Sequence, residues 1–574
     1  PWKELVAGLL KNFQLPLWNP YNFAGTPLLA NIQSSVFYPL NLIFLLPSFP
    51  LAWSIYILIA PVLSTVFMFL YLRNLNLQKI PAVFGAIVFA LCGFNIAWLE
   101  NGVLTHTLLW LPLILLSIDR KKYLVYLIAI LSSFFAGHWQ TFLYVFIFSH
   151  IYLIFRNIRS LPKFLILDSI FLILSLPQLL PSLQFISLSA RNTDQMWTNV
   201  AGWFIPWQNL IQFISPDFFG NPSTLNYTGI FSYQEFIGYI GVPGIIFVAS
   251  ALFIKRKIIW FFAGAAIIGL LFALPTPLAK LPFILNLPFI SSSMPTRLLS
   301  IIGFCLAVLA AFGFQKINKK ITAVFVISFA LLWLLFPTKY LILPTALLVA
   351  TLVIKKYPWL LVLLLIFDLG RFAVKFLPFS DSKYLYPDTK VTKFLQENTK
   401  DYTRFMTLND EIFPPNFNIV YRLQSINGYD PLYLKSYSDL VGGGNRIIVP
   451  KDYKNPIINL LGVKYILTFE NINDPNYPLA FQEGKTKVFE NKKVQPRAFV
   501  ENGTAKIISY TENKVIIKTE STSPAILTLT DMYYPTWKAY IDDIPTKITP
   551  TPENLRSILV PAGIHEIIFE IRIL

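Results

Sequence analysis

The chain has 574 residues, of which 55% are hydrophobic and only 13% are charged, and its mean hydropathy is +0.57. A soluble protein carries roughly 25% charged residues, so the composition excludes an ordinary soluble enzyme and indicates a membrane protein. The formal net charge is +17. Many of the cations lie at the ends of apolar runs, where cytoplasmic loops and lipid headgroups account for them. We therefore expect membrane lipids, and no nucleic acid, as partners.

Residues 1–50 are apolar but irregular, because prolines and polar side chains interrupt them repeatedly. Lipid does not tolerate such a backbone, since its polar groups would lack hydrogen-bond partners. We predict an outer interfacial segment or the lining of a protein cavity. The sequence starts at Pro1 without an initiator methionine, so we also expect an upstream span.

Residues 51–376 alternate between apolar runs and short basic clusters at 73–79, 119–122, 156–163, 255–257, 316–320 and 355–356. Basic loops stay on the cytoplasmic side, so the alternation predicts a topology with residues 1–50 and 377–574 outside. The apolar runs predict about twelve spans, some shorter than the ~20 residues of a perpendicular helix. They lie near 51–72, 81–98, 106–118, 124–137, 141–155, 164–187, 236–254, 258–274, 298–315, 321–336, 341–354 and 358–375.

The composition changes at about Leu377, where long apolar runs stop and Asp, Asn, Thr, Lys and Tyr become frequent. Strand-like alternation follows at 506–510, 514–519, 525–530 and 564–573. The predicted fold is therefore a polytopic α-helical membrane protein followed by an extracytoplasmic β-rich domain at 377–574. The two cysteines lie inside apolar runs without metal-type spacing, which indicates buried free thiols.

Several short motifs together resemble the YfhO-like family of bacterial multispanning membrane proteins. They are Leu-Pro-Leu-Trp-Asn-Pro at 15–20, Gly-Thr-Pro at 25–27, Phe-Tyr-Pro at 37–39, Ala-Gly-His-Trp-Gln at 136–140, Ser-Pro-Asp-Phe-Phe-Gly at 215–220, Glu-Phe-Ile-Gly-Tyr-Ile-Gly at 235–241, Pro-Thr-Arg at 295–297, Leu-Leu-Gly-Val-Lys-Tyr-Ile at 460–466 and Tyr-Tyr-Pro-Thr-Trp at 533–537. Their order along nearly the whole chain carries the resemblance.

The family is similar to the GT-C glycosyltransferases, so the resemblance implies a GT-C-like fold and a bacterial-type cytoplasmic membrane location. It also implies transfer of a sugar from a polyprenyl-phosphate donor to a cell-surface glycan or polymer. In GT-C enzymes a catalytic acid usually lies in the first outer loop. The corresponding residue of this protein is expected upstream of Pro1.

Such a transfer needs a carboxylate base, cations or a divalent metal for the departing phosphate, and a groove for the lipid. The outer ends of the predicted spans supply suitable residues. Glu100, Asp217 and Glu235 are the candidate catalytic acids. The candidates for binding the donor phosphate or sugar are His106, His138, Gln140, Arg191 and Arg297.

Each candidate has a structural alternative, such as an interfacial carboxylate, a turn histidine, a helix-terminal acid or a headgroup anchor. Asp368 and Arg371 are three positions apart and are expected to pair on one helix face. Two other functions stay open at this stage: a transporter or flippase of lipid-linked polymer, and a non-catalytic scaffold for envelope assembly. Clean spans disfavour the transporter, because transporters place ionisable residues at mid-membrane.

Overall fold

The computed structural model describes residues 1–190, 202–287, 293–314, 319–377, 379–442, 447–448 and 452–573. Helices dominate as far as Phe376, and strands dominate from Arg404 onward. The helices are α1 (Trp2–Lys11), α2 (Phe49–Asn74), α3 (Lys79–Leu91), α4 (Gly93–Ala97), α5 (Leu104–Leu108), α6 (Leu111–Arg120), α7 (Tyr123–Phe135), α8 (Trp139–Asn157), α9 (Leu161–Ser187), α10 (Val242–Ala251), α11 (Lys257–Ala273), α12 (Pro277–Ile284), α13 (Leu299–Gly313), α14 (Lys319–Leu335), α15 (Ile342–Ile354), α16 (Pro358–Phe376), α17 (Lys390–Asn398), α18 (Lys435–Leu440) and α19 (Ile457–Leu460).

Four helical stretches are long and apolar enough to cross a membrane. They are Phe49–Asn74, Lys79–Ala97, Trp139–Ser187 and Pro295–Gly313, and a fifth results if α11 and α12, which meet at a bend of 63°, form one span. The expectation of twelve spans is therefore not supported. Several predicted spans are short helices, such as α7 and α10, and at 1.5 Å per residue these reach about 15–20 Å, short of the ~30 Å hydrocarbon layer.

The long helix α2 shows the inside-out pattern of a membrane helix. Its buried face includes Ala52, Ala60 and Ser64, which are small enough to let neighbouring helices approach closely. Its outward face carries large apolar side chains such as Leu58 and Val62, which are about half exposed. In water this face would be unfavourable, whereas a lipid bilayer solvates it.

The stretch Trp139–Ser187 folds back on itself as the helical hairpin α8–α9. His150 on α8 and Asp168 on α9 are 2.8 Å apart. In one straight helix, residues separated by 18 positions would lie about 27 Å apart, so the turn at Ile158–Ser160 reverses the chain.

The β-rich region contains three larger sheets. Their strand orders are β10–β11–β17–β13–β14, β15–β16–β12–β9 and β3–β6–β8–β7. All pairs are antiparallel except the parallel pair of β3 and β6. The strands are β1 (Trp18–Asn19), β2 (Thr26–Pro27), β3 (Arg404–Thr407), β4 (Gly428–Tyr429), β5 (Ile447–Ile448), β6 (Val463–Thr468), β7 (Leu479–Glu483), β8 (Thr486–Glu490), β9 (Ala498–Val500), β10 (Gly503–Tyr510), β11 (Lys514–Ser521), β12 (Ala525–Met532), β13 (Trp537–Ile541), β14 (Ile544–Thr546), β15 (Thr549–Pro550), β16 (Leu555–Val560) and β17 (Gly563–Ile571).

The alternation of apolar and polar side chains that predicted strands in this region also supplies its hydrophobic core. In β11 every second side chain is buried, because successive side chains of a strand point to opposite faces. Ile517 and Phe569 from the five-stranded sheet share one core with Leu527 and Ile558 from the sheet of β9, β12, β15 and β16. The two sheets therefore pack on each other through an apolar layer.

Residues 1–50 join the helical part to the β-rich region. The short hairpin of β1 and β2 places Trp18 in the core of the β-rich region. Tyr38, twenty residues later, belongs to the core of the helical part. Since residues 1–50 and the region after Phe376 are in contact, they lie on the same side of the helical part.

Candidate functional site

The best-connected polar cluster in the helical part is centred on Arg297. This residue lies in the 3₁₀ turn Pro295–Leu298, directly before α13. Pro295 is suited to this place because its φ angle is already helical and it has no N–H to leave unpaired. The Arg297 side chain is 13% exposed. The guanidinium is therefore largely surrounded by protein but still accessible from one side.

Glu235 supplies the negative charge of the cluster. Its Oε1 accepts hydrogen bonds from Nε and Nη2 of Arg297 at 3.3 and 3.2 Å, and its Oε2 accepts one from Thr296 Oγ1 at 2.7 Å. The Glu235 side chain is only 3% exposed. A buried carboxylate needs such compensation, because removing either partner of a buried ion pair is strongly destabilising.

His138 and Gln140 reach the cluster from the connection between α7 and α8. Gly137 makes this connection possible, since its φ is +100° and a Cβ there would lie 2.3 Å from Ser35 Oγ. His138 caps α8 by accepting the Thr141 N–H at Nδ1, at 3.2 Å. In the neutral ring the proton is therefore on Nε2, which lies 3.2 Å from Nη1 of Arg297.

Two N–H donors thus lie side by side, one from the imidazole and one from the guanidinium. Gln140 holds the guanidinium in place, because its Oε1 accepts from Nη1 of Arg297 at 3.0 Å. The Gln140 amide nitrogen in turn donates to Tyr144 OH and to the Met294 carbonyl, at 2.9 and 2.5 Å. Adjacent donors of this kind bind an oxygen anion such as a phosphate.

Trp98 forms one wall beside Arg297. The guanidinium carbon lies 5.4 Å from the indole ring centroid, within the range of a cation–π contact. The indole N–H donates to the Gln234 carbonyl at 3.1 Å, which fixes the ring next to the turn that carries Glu235. An aromatic face beside a guanidinium suits the face of a sugar ring.

The cluster lies at the opposite end of α8 from the basic loops. Gln140 is at the start of this helix and Arg156 is near its end, so they are separated by about 24 Å. At the Arg156 end, Asp119 accepts from Arg156 at 2.9 Å and from Asn74 at 2.7 Å. Two of the basic clusters therefore meet at the end of α8 that is far from Arg297.

The structure brings together four of the predicted site residues, namely Glu235, His138, Gln140 and Arg297, and it places Glu100, His106 and Asp217 elsewhere. Glu100 is exposed on the 3₁₀ turn Leu99–Asn101. Arg191 lies outside the described residues.

Asp217 forms an ion pair with Lys375 at 2.7 Å and with Arg371 at 3.8 Å. The expected pairing of Asp368 with Arg371 is replaced by another arrangement, because Asp368 accepts from Tyr239 OH at 2.6 Å and from the Val242 N–H at 3.0 Å.

His106 is fully buried in a separate aromatic cluster. Its ring stacks on Tyr56 at 3.9 Å between centroids, and Nδ1 lies 3.1 Å from Tyr38 OH. The ammonium group of Lys3 lies over the Tyr56 ring, 4.8 Å from the ring centroid. It also donates a hydrogen bond to Asn41 Oδ1 at 3.1 Å. Burial lowers the pKa of Lys3 to about 7. Lys3, Tyr38 and Asn41 also line a cavity of about 30 Å³.

Sequence reasoning missed several polar groups that the structure brings into prominence. Thr296 and Trp98 belong to the Arg297 cluster. Thr296 is the middle residue of the Pro-Thr-Arg motif at 295–297, so the motif itself could have indicated it. His150 and Asp168 lie inside apolar runs that were taken as clean spans. An ionisable residue within an apolar run is itself a signal, because its burial in a membrane is costly.

The described residues contain no group of three or more His, Cys, Asp and Glu side chains that could hold a metal ion. Glu235 is the carboxylate of the Arg297 cluster, and its oxygens are occupied by Arg297 and Thr296. These residues therefore do not fit a divalent cation.

Comparisons with protein-family models, with curated proteins and with solved structures found no match to this chain.

Proposed function

We propose that the protein is a membrane glycosyltransferase of the YfhO-like type, which transfers a sugar from a polyprenyl-phosphate donor to a cell-surface glycan or polymer. The observation that supports this proposal is the Arg297 cluster at one end of an apolar helical bundle. It combines a largely buried guanidinium that is accessible from one side, a neighbouring imidazole N–H and an aromatic wall. A lipid phosphosugar would place its phosphate against these donors and its chain along the apolar helices.

In this reaction the bond between the sugar and the phosphate breaks, and negative charge develops on the departing polyprenyl phosphate. Nη1 of Arg297 and Nε2 of His138 would donate to that phosphate. Fixed donors of this kind stabilise developing charge more effectively than water does, because they need no reorganisation.

We assign Glu235 a positioning role. It accepts two hydrogen bonds from Arg297 and one from Thr296, so it holds the guanidinium rather than abstracting a proton from the acceptor. The ion pairs of Asp217 with Lys375 and Arg371 similarly suit a structural role. Among the candidate acids, this leaves Glu100 as the base that deprotonates the acceptor hydroxyl.

The proposed location is a bacterial-type cytoplasmic membrane, crossed several times, with residues 1–50 and the β-rich region on the outer side. The contact between these two parts and the separation of Arg297 from the basic end of α8 both support this orientation.

A different observation supports a second candidate function, transport or flipping of lipid-linked polymer. Asp168 accepts from Tyr126 OH at 2.7 Å and pairs with His150 at 2.8 Å, within the hairpin of α8 and α9. Ionisable groups enclosed among membrane helices often mark a path for protons or substrate.

The test uses the full chain in proteoliposomes with a panel of polyprenyl-phosphate sugars that carry a radiolabel. Replacing Arg297 by Gln removes the guanidinium that would donate hydrogen bonds to the phosphate, and we expect the rate of sugar transfer to fall about 100-fold or more. R297K retains the charge but not the fork that contacts three partners, so it restores only part of the activity. The matched control is Arg371→Gln, another arginine near a helix end, and its transfer rate should stay within about threefold of the unmodified protein.

Full transfer by a folded Arg297→Gln variant would refute this site. If no donor yields product but labelled lipid crosses sealed vesicles, and His150→Gln and Asp168→Asn abolish that movement, the transport function replaces the enzymatic one.

A further inference from the structure

The β-rich region contains an unbalanced group of buried charges. Asp531 lies among three guanidiniums, with Arg404 Nη2 at 2.6 Å from Oδ1, Arg556 Nη2 at 3.2 Å from Oδ2 and Arg497 also on Oδ1. All four side chains are at most 1% exposed. One carboxylate against three guanidiniums leaves an excess of two positive charges away from water, which is unfavourable unless further negative charge is close.

The three guanidiniums differ in how their donors are used. Arg404 and Arg497 donate to backbone carbonyls and side-chain oxygens, including the Leu461 carbonyl and Gln424 Oε1. Arg556 donates through Nε to the Met532 carbonyl at 3.3 Å. Its Nη1 finds no hydrogen-bond acceptor among the described residues, whereas its Nη2 forms the 3.2 Å ion pair with Asp531 Oδ2 without the geometry of a hydrogen bond. The excess charge is therefore least compensated at the Nη1 end of Arg556.

That end of Arg556 lies in the joint between the β-rich region and residues 1–50. Its guanidinium carbon is 3.6 Å from the Trp537 ring centroid and 5.4 Å from that of Trp18. The two indole rings meet edge to face at 5.4 Å. Arg556 is thus enclosed between a residue of β13 and a residue of the β1–β2 hairpin.

Further donors without an acceptor lie on the same elements. Besides Nη1 of Arg556, the indole nitrogens of Trp18 and Trp537 and the amide nitrogen of Asn19 are buried without a hydrogen-bond partner within the described residues. These four nitrogens can only donate. The hydroxyls of Thr26 and Tyr534 are also buried without a partner.

From this concentration of donors and positive charge we infer that the joint binds one small inorganic anion of the halide class, with Arg556 and the indole N–H groups of Trp18 and Trp537 as its principal ligands. A water molecule suits these groups less well, because it brings two hydrogens that themselves need acceptors. An anion brings only acceptor capacity and also reduces the charge excess. A halide fits better than phosphate or sulfate, because it is smaller and the surrounding side chains are almost completely buried.

The bound anion would stabilise the docking of residues 1–50 on the β-rich region. Trp18 comes from one part and Arg556 and Trp537 from the other, so a shared ligand links them. Burial already opposes the positive charge in this cluster, as shown by the pKa of Arg404, which burial and the neighbouring Arg497 lower to about 9.

The test is thermal unfolding of the purified full chain in detergent, with sodium bromide titrated against sodium gluconate at constant ionic strength. We expect a saturable rise in Tm with bromide, a similar rise with chloride and none with sulfate. Arg556→Gln should abolish the saturable part. Arg572→Gln, which changes an exposed arginine paired with Glu570, should leave it intact.

Trp18→Phe is the second variant, because it keeps an aromatic side chain at this position and lacks the indole N–H. If Arg556→Gln does not fold, this variant carries the test, and we expect a 3- to 10-fold weaker apparent affinity for bromide. Anomalous diffraction from bromide-soaked crystals should show one peak beside Arg556. A Tm that does not depend on halide, a halide response that both variants retain, or a stronger saturable response to sulfate would overturn the proposal.

Discussion

Replacing Asp531 by Asn is the most direct test of how the β-rich region is held together. The variant keeps the size of the side chain but leaves the guanidiniums of Arg404, Arg497 and Arg556 without their shared carboxylate. Removing one partner of a buried ion pair typically costs about 3–5 kcal/mol. Because all groups here are fully buried, solvent does not screen the loss, and we expect a decrease of that size in the free energy of unfolding.

The pKa of Asp531 gives an independent measure of how much its ionised form stabilises the folded state. Burial alone would raise it, but the three neighbouring guanidiniums outweigh burial and lower the pKa from its ordinary 3.8 to about 2. At about 1.4 kcal/mol per pKa unit, this shift corresponds to roughly 2 kcal/mol of stabilisation. A lowered pKa stabilises the folded state fully above about pH 4, and the contribution is lost as the pH falls toward 2.

The assay is urea unfolding of the full chain in mild detergent, followed by tryptophan fluorescence, to which Trp18 and Trp537 of the same core contribute. The matched control is Asp542→Asn, which changes an exposed aspartate on a hairpin turn, with an expected change under about 1 kcal/mol. Between pH 4 and 2 the unmodified protein should lose about 2 kcal/mol more than the Asp531→Asn variant. Equal stability of Asp531→Asn and the control at neutral pH would refute the reasoning.

Three further substitutions test other parts of the fold. Gly137→Ala places a Cβ 2.3 Å from Ser35 Oγ at a φ of +100°, and a loss of about 1–3 kcal/mol is expected in urea unfolding. His106→Ala removes a buried ring that stacks on Tyr56, and a loss of about 3 kcal/mol is expected by the same measurement. Asp217→Asn weakens a partly exposed ion pair with Lys375, so stability should fall by about 1 kcal/mol or less and glycan transfer should persist. A loss of transfer in a stably folded Asp217→Asn variant would show instead that this carboxylate takes part in the reaction.

The β-rich region could be predicted from sequence because its signal is local. The alternation at 514–519 and 564–573 determines which face of each strand is buried, and the two segments pair in β11 and β17. The number of spans could not be predicted in the same way. A run of apolar residues indicates burial, but the helix within it can be shorter than the run. The helix α10, for example, covers only Val242–Ala251 of the apolar run 236–254.

The Arg297 cluster was predicted in part because its members share one side of the charge pattern. His138, Glu235 and Arg297 are far apart in sequence, and only the topology inferred from the basic loops placed them together. The same argument also included Asp217. Its ion pair with Lys375 depends on the packing of α16 against the segment between α9 and α10, and nothing in the local sequence encodes that contact.

Residues 1–50 show how an irregular sequence can serve two packed cores at once. Trp18 docks on Arg556 in the β-rich region, and Ser35 donates to the Ala136 carbonyl at 2.9 Å, two residues before His138. A regular helix or strand could not make both contacts within so few residues, whereas a proline-rich chain can turn between them. The segment therefore connects the proposed anion site to the connection that positions His138. Weakening the docking of Trp18 should consequently disturb the alignment of His138 with Arg297, although neither residue touches Trp18.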